Sequence, residues 1–310
     1  MISQDKVLLA ASGRWTTRAG FGCSGLMGAL SRRESLALLS AAWDAGVRHF
    51  DVAPAYGHGQ AESVLGSFLS GRRDQATVVT KFGLEPTENS RFVEVARAFA
   101  RPLLRRTRAL RPSRAASVNR APVRAPLDPG NAERSLVRSL RALQTDCIDA
   151  LLLHEAESHL LQDDSLLAFL ENSVRKGLIR TFGIGGDSGK TSDVFQKRPD
   201  YCPIVQCDCS LFDGELPHYP GSDLIVFGVV ARHGNRGNVL GQGKVPLFNA
   251  EVNAEVILRA IAMALPNSVI LFSSRNAAHV ASSTRALTDT SLDSAASLLL
   301  ASAGRSASLR

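Results

Sequence analysis

The stretch Val47-Arg48-His49-Phe50-Asp51-Val52-Ala53-Pro54-Ala55-Tyr56 reads as a short apolar strand that brings a carboxylate to its end and a phenol five residues further on. Two other runs share that design: Thr77-Val78-Val79-Thr80 leads into Lys81, and Ala150-Leu151-Leu152-Leu153 leads into His154. In a parallel α/β barrel the carboxyl ends of all strands open on one face, so residues far apart in sequence meet there. A carboxylate, a phenol, an ammonium and an imidazole gathered at one mouth can protonate a carbonyl oxygen.

Outward from these runs, strand-like and helix-like patterns alternate for most of the chain, which points to βαβ units and a parallel sheet. The predicted strands are Gly20–Cys23, Val47–Val52, Thr77–Lys81, Ile148–His154, Thr181–Ile184, Ile204–Cys207, Leu224–Val230 and Val269–Phe272. Eight such runs predict a closed α/β barrel of the (β/α)8 TIM type, a single domain over residues 1–310. Val7 to Trp15 reads as a short strand or hairpin ahead of it. Ser31 or Ser35 caps a helix ending at Asp44, with Leu38, Leu39, Ala42 and Trp43 as its buried stripe. Leu136, Val137, Leu140 and Leu143 form the stripe of the helix entering the fourth strand. Asp163-Asp164 open the next helix and Lys176-Gly177 close it. The small, polar stretch 302–310 reads as a frayed tail.

With 310 residues, 45% of them hydrophobic, the chain can bury a large core. No run approaches the roughly 18 apolar residues of a membrane span. The start, Met1 to Lys6, carries an acid in place of a basic region, and the apolar run Val7 to Ala11 is too short for a signal peptide. Five cysteines without framework spacing suggest free thiols. A cytoplasmic protein with no membrane partner is the expectation. The net charge of +7 sits in one place. Residues 86–130 hold ten arginines and no lysine, against Glu88, Glu94 and Asp128; ten minus three accounts for the whole excess. The rest of the chain is formally neutral, which argues against nucleic-acid binding by the domain as a whole. This basic, proline-rich loop is an insertion after the third strand, with a short amphipathic helix over Phe92 to Leu103. Its arginines either face water in a solvated lid or clamp an acidic substrate or acidic protein partner.

The chemistry of the four end-of-strand residues is coherent. A phenol ordinarily titrates near 10, and a lysine close by lowers that value and eases proton donation. Lys81 serves that end, Asp51 pairs with Lys81, and His154 aims a carbonyl at Tyr56. Singly, each residue has a plainer role: a loop cap, a snorkelling lysine, a core histidine, a packing tyrosine. Jointly they predict a catalytic set. No serine or cysteine nucleophile is visibly paired with a base, so the carbonyl carbon receives a hydride, which points to a nicotinamide cofactor. Cys202, Cys207 and Cys209 lack a second pair at ligand spacing and read as core residues, so no metal is expected. His58, His218 and His233 fall in loops, with His58 or His233 as pocket-lining candidates.

The run His49 to Gly66, His-Phe-Asp-Val-Ala-Pro-Ala-Tyr-Gly-His-Gly-Gln-Ala-Glu-Ser-Val-Leu-Gly, resembles the signature of the aldo-keto reductases. Val79-Thr80-Lys81 and Asp146 to His154 are similar to the lysine and histidine strands of that family, and the insertion resembles that of its sugar dehydrogenases. The resemblance implies a barrel that reduces an aldehyde or ketone to an alcohol, or the reverse, with Tyr56 as general acid tuned by Lys81 and Asp51 and with His154 orienting the small-molecule carbonyl. It also implies a cofactor site. Gln206 matches the glutamine that contacts the nicotinamide amide, while Gly185 and Gly186 stand where the family has a Ser-Asn pair and Cys209 where it is expected to have a stacking tyrosine. Gly228 to Asn238, with Arg232, matches the pyrophosphate segment. Ser273, Ser274, Arg275 and His279 resemble the grip on an adenosine 2′-phosphate, which favours NADPH, with NADH as the alternative. The departures at residues 185, 186 and 209 keep two further functions open: a cofactor-sensing or partner-binding barrel with weak redox activity, and a lyase or isomerase reusing the four residues for proton transfer.

Overall fold

The computed structural model describes residues 5–28, 30–86, 122–212, 215–230 and 253–307. Eight parallel strands close a barrel: β1 (Ala19–Gly22), β2 (His49–Asp51), β3 (Thr77–Phe82), β4 (Ile148–His154), β5 (Ile179–Gly186), β6 (Ile204–Asp208), β7 (Asp223–Phe227) and β8 (Ser268–Phe272). Each strand pairs with its neighbour in sequence order, and β8 returns to β1 with Ile270 opposite Ala19 and Phe272 opposite Phe21. All eight predicted strands are present. β7 stops earlier than predicted because Gly228, at φ +74°, turns the chain out of the sheet.

The helices α1 (Arg32–Asp44), α2 (Ala61–Leu69), α3 (Pro129–Leu143), α4 (Ser165–Arg175), α5 (Ser188–Lys197), α6 (Ala254–Ala264), α7 (Ala277–Ala286) and α8 (Asp293–Ala307) surround the barrel. Their starts follow local chemistry. Ser31 and Glu34 form a reciprocal capping box at α1. Asp128 caps α3, whose first residue is Pro129, so the predicted insertion ends inside a helix. In α3, Leu136 and Leu143 are buried but Val137 is exposed, narrowing the predicted stripe. Gly66 lets α2 and α3 approach closely, since a Cβ there would lie 2.5 Å from the Ala142 carbonyl oxygen.

An N-terminal hairpin, Lys6–Leu9 against Arg14–Thr17, precedes β1. Val7 and Leu9 pack with Val79, Leu152, Ile225 and Val269 in a core cluster separate from the larger one. The larger cluster joins residues of the barrel strands to those of the surrounding helices.

Three departures from the expected pattern stand out. Between β6 and β7 no helix forms among the described residues. There Tyr219 packs edge-on against Phe195 of α5 at 5.1 Å, and its hydroxyl lies 3.0 Å from that of Thr191. Leu84–Glu85 pairs antiparallel with Val123–Arg124, so the arginine-rich segment leaves and re-enters through a two-stranded neck; residues 87–121, including the predicted helix at 92–103, lie outside the described residues. The predicted frayed tail is helical through Ala307. Ala is the strongest helix former, and buried Ala296 and Leu299 anchor the helix to the body. Among the described residues, no helix is long and apolar enough to cross a membrane.

Candidate active site

β2 ends on Asp51 and β3 carries Lys81 beside it, because Asp51 is opposite Val79 in the parallel register. Lys81 Nζ donates to both Asp51 oxygens, at 2.7 and 2.8 Å, and to the Val52 carbonyl at 3.3 Å. Its fourth contact is the Tyr56 hydroxyl at 3.4 Å. Tyr56 arrives there on a tight turn, Tyr56–Gly59, that only a glycine at 57 permits. Gly57 has φ +56°, and a Cβ on it would lie 2.4 Å from the Leu26 carbonyl oxygen. His154 closes the group, its ring edge-on to that of Tyr56 with centroids 6.0 Å apart. The four residues singled out in the sequence therefore meet at the carboxyl ends of β2, β3 and β4.

Burial governs their protonation. The Tyr56 phenol is held above its ordinary value by burial; Lys81 pulls it down, as expected from the sequence, but does not prevail, and Asp51 opposes it. Burial alone would depress Lys81, yet Asp51 and Tyr56 together raise it, so it is a permanent ammonium. His154 is pushed down to about 3, first by burial and then by Lys81, and its Nδ1 is buried with no hydrogen-bond partner among the described residues. At neutral pH the set is a protonated phenol, an ammonium and a neutral imidazole. Cys23, fully buried nearby, has its thiol driven upward by burial and by Asp51, so it supplies no thiolate.

A model of the aldo/keto reductase family matches residues 18–213, from the entrance of β1 to beyond β6. The chain belongs to this family. Among known relatives, it is 34% identical over 201 residues to D-threo-aldose 1-dehydrogenase of a Pseudomonas species, covering 59% of this chain and 54% of that protein. It is 39% identical over 84 residues to pyridoxal 4-dehydrogenase of Microbacterium luteolum, covering 26% and 25%. The chain thus matches about half or less of the length of these relatives. Among solved structures, an aldo-keto reductase from Bacillus halodurans in its holo form superposes with a TM-score of 0.71 at 18% identity, over 97% of both chains. An aldo-keto reductase from Klebsiella pneumoniae in complex with NADPH superposes with a TM-score of 0.64 at 20% identity, over 97% of this chain and 96% of that one.

In this member of the family the four residues floor a cleft of about 720 Å³. Of the residues the sequence assigned to a cofactor, Gly185, Gly186, Gln206, Ser273, Ser274 and His279 line it. Gln206 turns partly inward, and its Nε2 donates to Asp51 at 2.7 Å. Two expected cofactor residues do not line it. Cys209 is buried and Arg275 is exposed, and both lie off the cleft wall. Cys209 falls just past the end of β6, an odd number of residues from the cleft-lining Gln206, and Phe227, opposite Asp208 at the end of β7, lines the cleft instead. Arg232, like His233, lies outside the described residues. His58 has φ +55° and does not line the cleft, while His218 lines a separate cavity. Glu155, Phe227 and Glu255 line the cleft without having been singled out in the sequence. Phe227 carried a signal, an aromatic at the end of an apolar run; Glu155 carried only its place after His154. Cys207 and Cys209 are buried in the core and form no disulfide, and no group of metal-ligating side chains forms among the described residues.

Proposed function

We propose that this chain is an oxidoreductase that reduces an aldehyde or ketone to an alcohol, or the reverse, with NADPH as its preferred cofactor. The observation that carries this is the contact of the Tyr56 hydroxyl with a buried Lys81 already paired to Asp51. A nicotinamide cofactor, when bound, supplies the hydride. The cleft suits such a group. It is large, Phe227 offers an aromatic face, and Gly22 keeps the wall flat where a Cβ would lie 2.5 Å from Ser273 Oγ. Ser273, Ser274 and His279 add polar atoms to the lining near the start of α7.

The chain's own residues account for the proton. Tyr56 holds its hydrogen at neutral pH, all the more firmly for its burial, and Lys81 stabilises the phenolate that forms as the proton leaves for the carbonyl oxygen. Asp51 anchors Lys81 and restrains its charge. His154, neutral, has a single N–H to offer the carbonyl oxygen; it orients substrate without contributing charge. Tight burial around these groups keeps the competing dipoles of water away.

Fluorescence titration with NADPH and NADH, followed by an absorbance assay against a panel of carbonyls, tests this. Binding with turnover, lowered about 10²–10⁴-fold in Tyr56→Phe, is the expected result. Binding without turnover on any carbonyl or alcohol would favour a sensing barrel, and absence of binding would favour proton-transfer chemistry such as a lyase or isomerase.

A further inference from the structure

Glu155 follows His154 directly and is held by three separate parts of the fold: β5, the neck strand at Arg124 and α5. Its backbone N–H donates to the Gly185 carbonyl at 2.7 Å, and its own carbonyl accepts from Arg124 Nη1 at 3.2 Å. Its Oε2 accepts from Lys190 Nζ of α5 at 2.7 Å. Its side chain lies over Gly186, where a Cβ would sit 3.1 Å from Cδ and Oε1 and 3.2 Å from Cα. The residue is left-handed, at φ +57°, a conformation that a non-glycine residue holds at some cost and that clusters at working sites. Glu155 lines the cleft, and its Oε1 has no hydrogen-bond partner among the described residues.

We infer that Glu155 is a specificity-determining residue that selects carbonyl substrates, or the matching alcohols, bearing a hydroxyl close to the reacting carbon. Its place comes from His154: consecutive Cα atoms are about 3.8 Å apart, so a ligand whose carbonyl is aimed by His154 has its neighbouring carbons within reach of a glutamate side chain. The pair with Lys190 is formally neutral, so it offers a hydrogen-bond acceptor and little net charge. A neutral hydroxyl is therefore preferred over an ammonium. Preorganisation matters here, because a carboxylate already fixed by Lys190 and Gly186 loses little freedom when it accepts the hydroxyl. The assignment rests on the redox function proposed above.

The test is the ratio of kcat/KM for glyceraldehyde to that for propionaldehyde, measured with NADPH in the wild type, Glu155→Ala, Glu155→Gln and Lys190→Met. A charge-assisted hydrogen bond gives the wild type a preference of about tenfold or more. In Glu155→Ala the ratio falls toward one through a rise in KM for glyceraldehyde, while Glu155→Gln, which keeps an acceptor oxygen, retains most of it. Lys190→Met leaves the left-handed residue untouched and lowers the ratio by loosening the carboxylate; it serves alone if the alanine variant does not fold. A wild type without hydroxyl preference, or an unchanged ratio in Glu155→Ala or Lys190→Met, overturns the assignment while leaving the redox function standing. A wild type that turns over no member of the wider carbonyl panel with either cofactor overturns both.

Discussion

Replacing Lys81 by methionine removes the cation of a deeply buried ion pair. Lys81 and Asp51 are 2% and 4% exposed, and the ammonium bonds both carboxylate oxygens. Lys81→Met leaves Asp51 buried with Gln206 Nε2 as its remaining hydrogen-bond donor. Breaking a buried pair by removing one partner costs about 3–5 kcal/mol. For a chain of 310 residues, at about 2.1 cal/mol/K of unfolding entropy per residue, that lowers the melting temperature by roughly 5–8 °C. The double variant Lys81→Met, Asp51→Leu removes the stranded charge as well and regains most of the loss, since replacing a whole buried pair by apolar groups is near neutral. Carbonyl reduction fails in both, because Tyr56 has lost the only cation in contact with its hydroxyl among the described residues. Calorimetry and urea titration of the two variants, with an activity assay on each, check this. A single variant as stable as wild type, or a double variant no better than the single, would show that the pair is not the buried, unscreened interaction drawn from these distances.

Other consequences follow from particular residues. Buried His49 and half-buried His154 are both pushed down to about 3, so their stabilisation is present above the unfolded value near 6.5 and drains away as pH falls from there toward 3. At pH 5 the unfolded state gains about 2 kcal/mol for each histidine; urea midpoints between pH 7.5 and 5 should drop accordingly, and by about half as much in a folded His49→Phe variant. Gly66→Ala forces α2 and α3 apart, since the new Cβ meets backbone atoms at 2.5–2.7 Å; a loss of about 1–3 kcal/mol in chemical denaturation is expected. Phe227→Ala removes the aromatic face of the cleft and raises the NADPH dissociation constant by about 2- to 13-fold, from ~0.5–1.5 kcal/mol of stacking, with little change in melting temperature.

How much of this was legible in the chain depends on whether the physics is local. Asp51, Lys81 and His154 could be placed at a barrel mouth because each breaks an apolar run at its end, and that pattern is written in consecutive residues. Ser31 with Glu34 at α1 and Asp128 before Pro129 at α3 were equally local. Cys209 and Phe227 show the limit. Both lie next to strand ends, but which one turns to the cleft depends on the register of β6 against β7, a relation between segments with no mark in either. The helical stretch at 302–307 is a related case, in which a composition typical of a tail is held as helix by residues that pack against the body.

The sequence by itself determined the eight-stranded alternation, the strand ends on which the polar groups sit, and the family likeness, because periodicity and end-of-run placement need only neighbouring residues. The tertiary structure alone decided that burial raises the Tyr56 phenol above its ordinary value against the pull of Lys81, that Glu155 faces the cleft in a left-handed turn, and that the link from β6 to β7 lacks a helix among the described residues. Those outcomes rest on desolvation, register and close approach, each a sum over atoms brought together from distant parts of the chain.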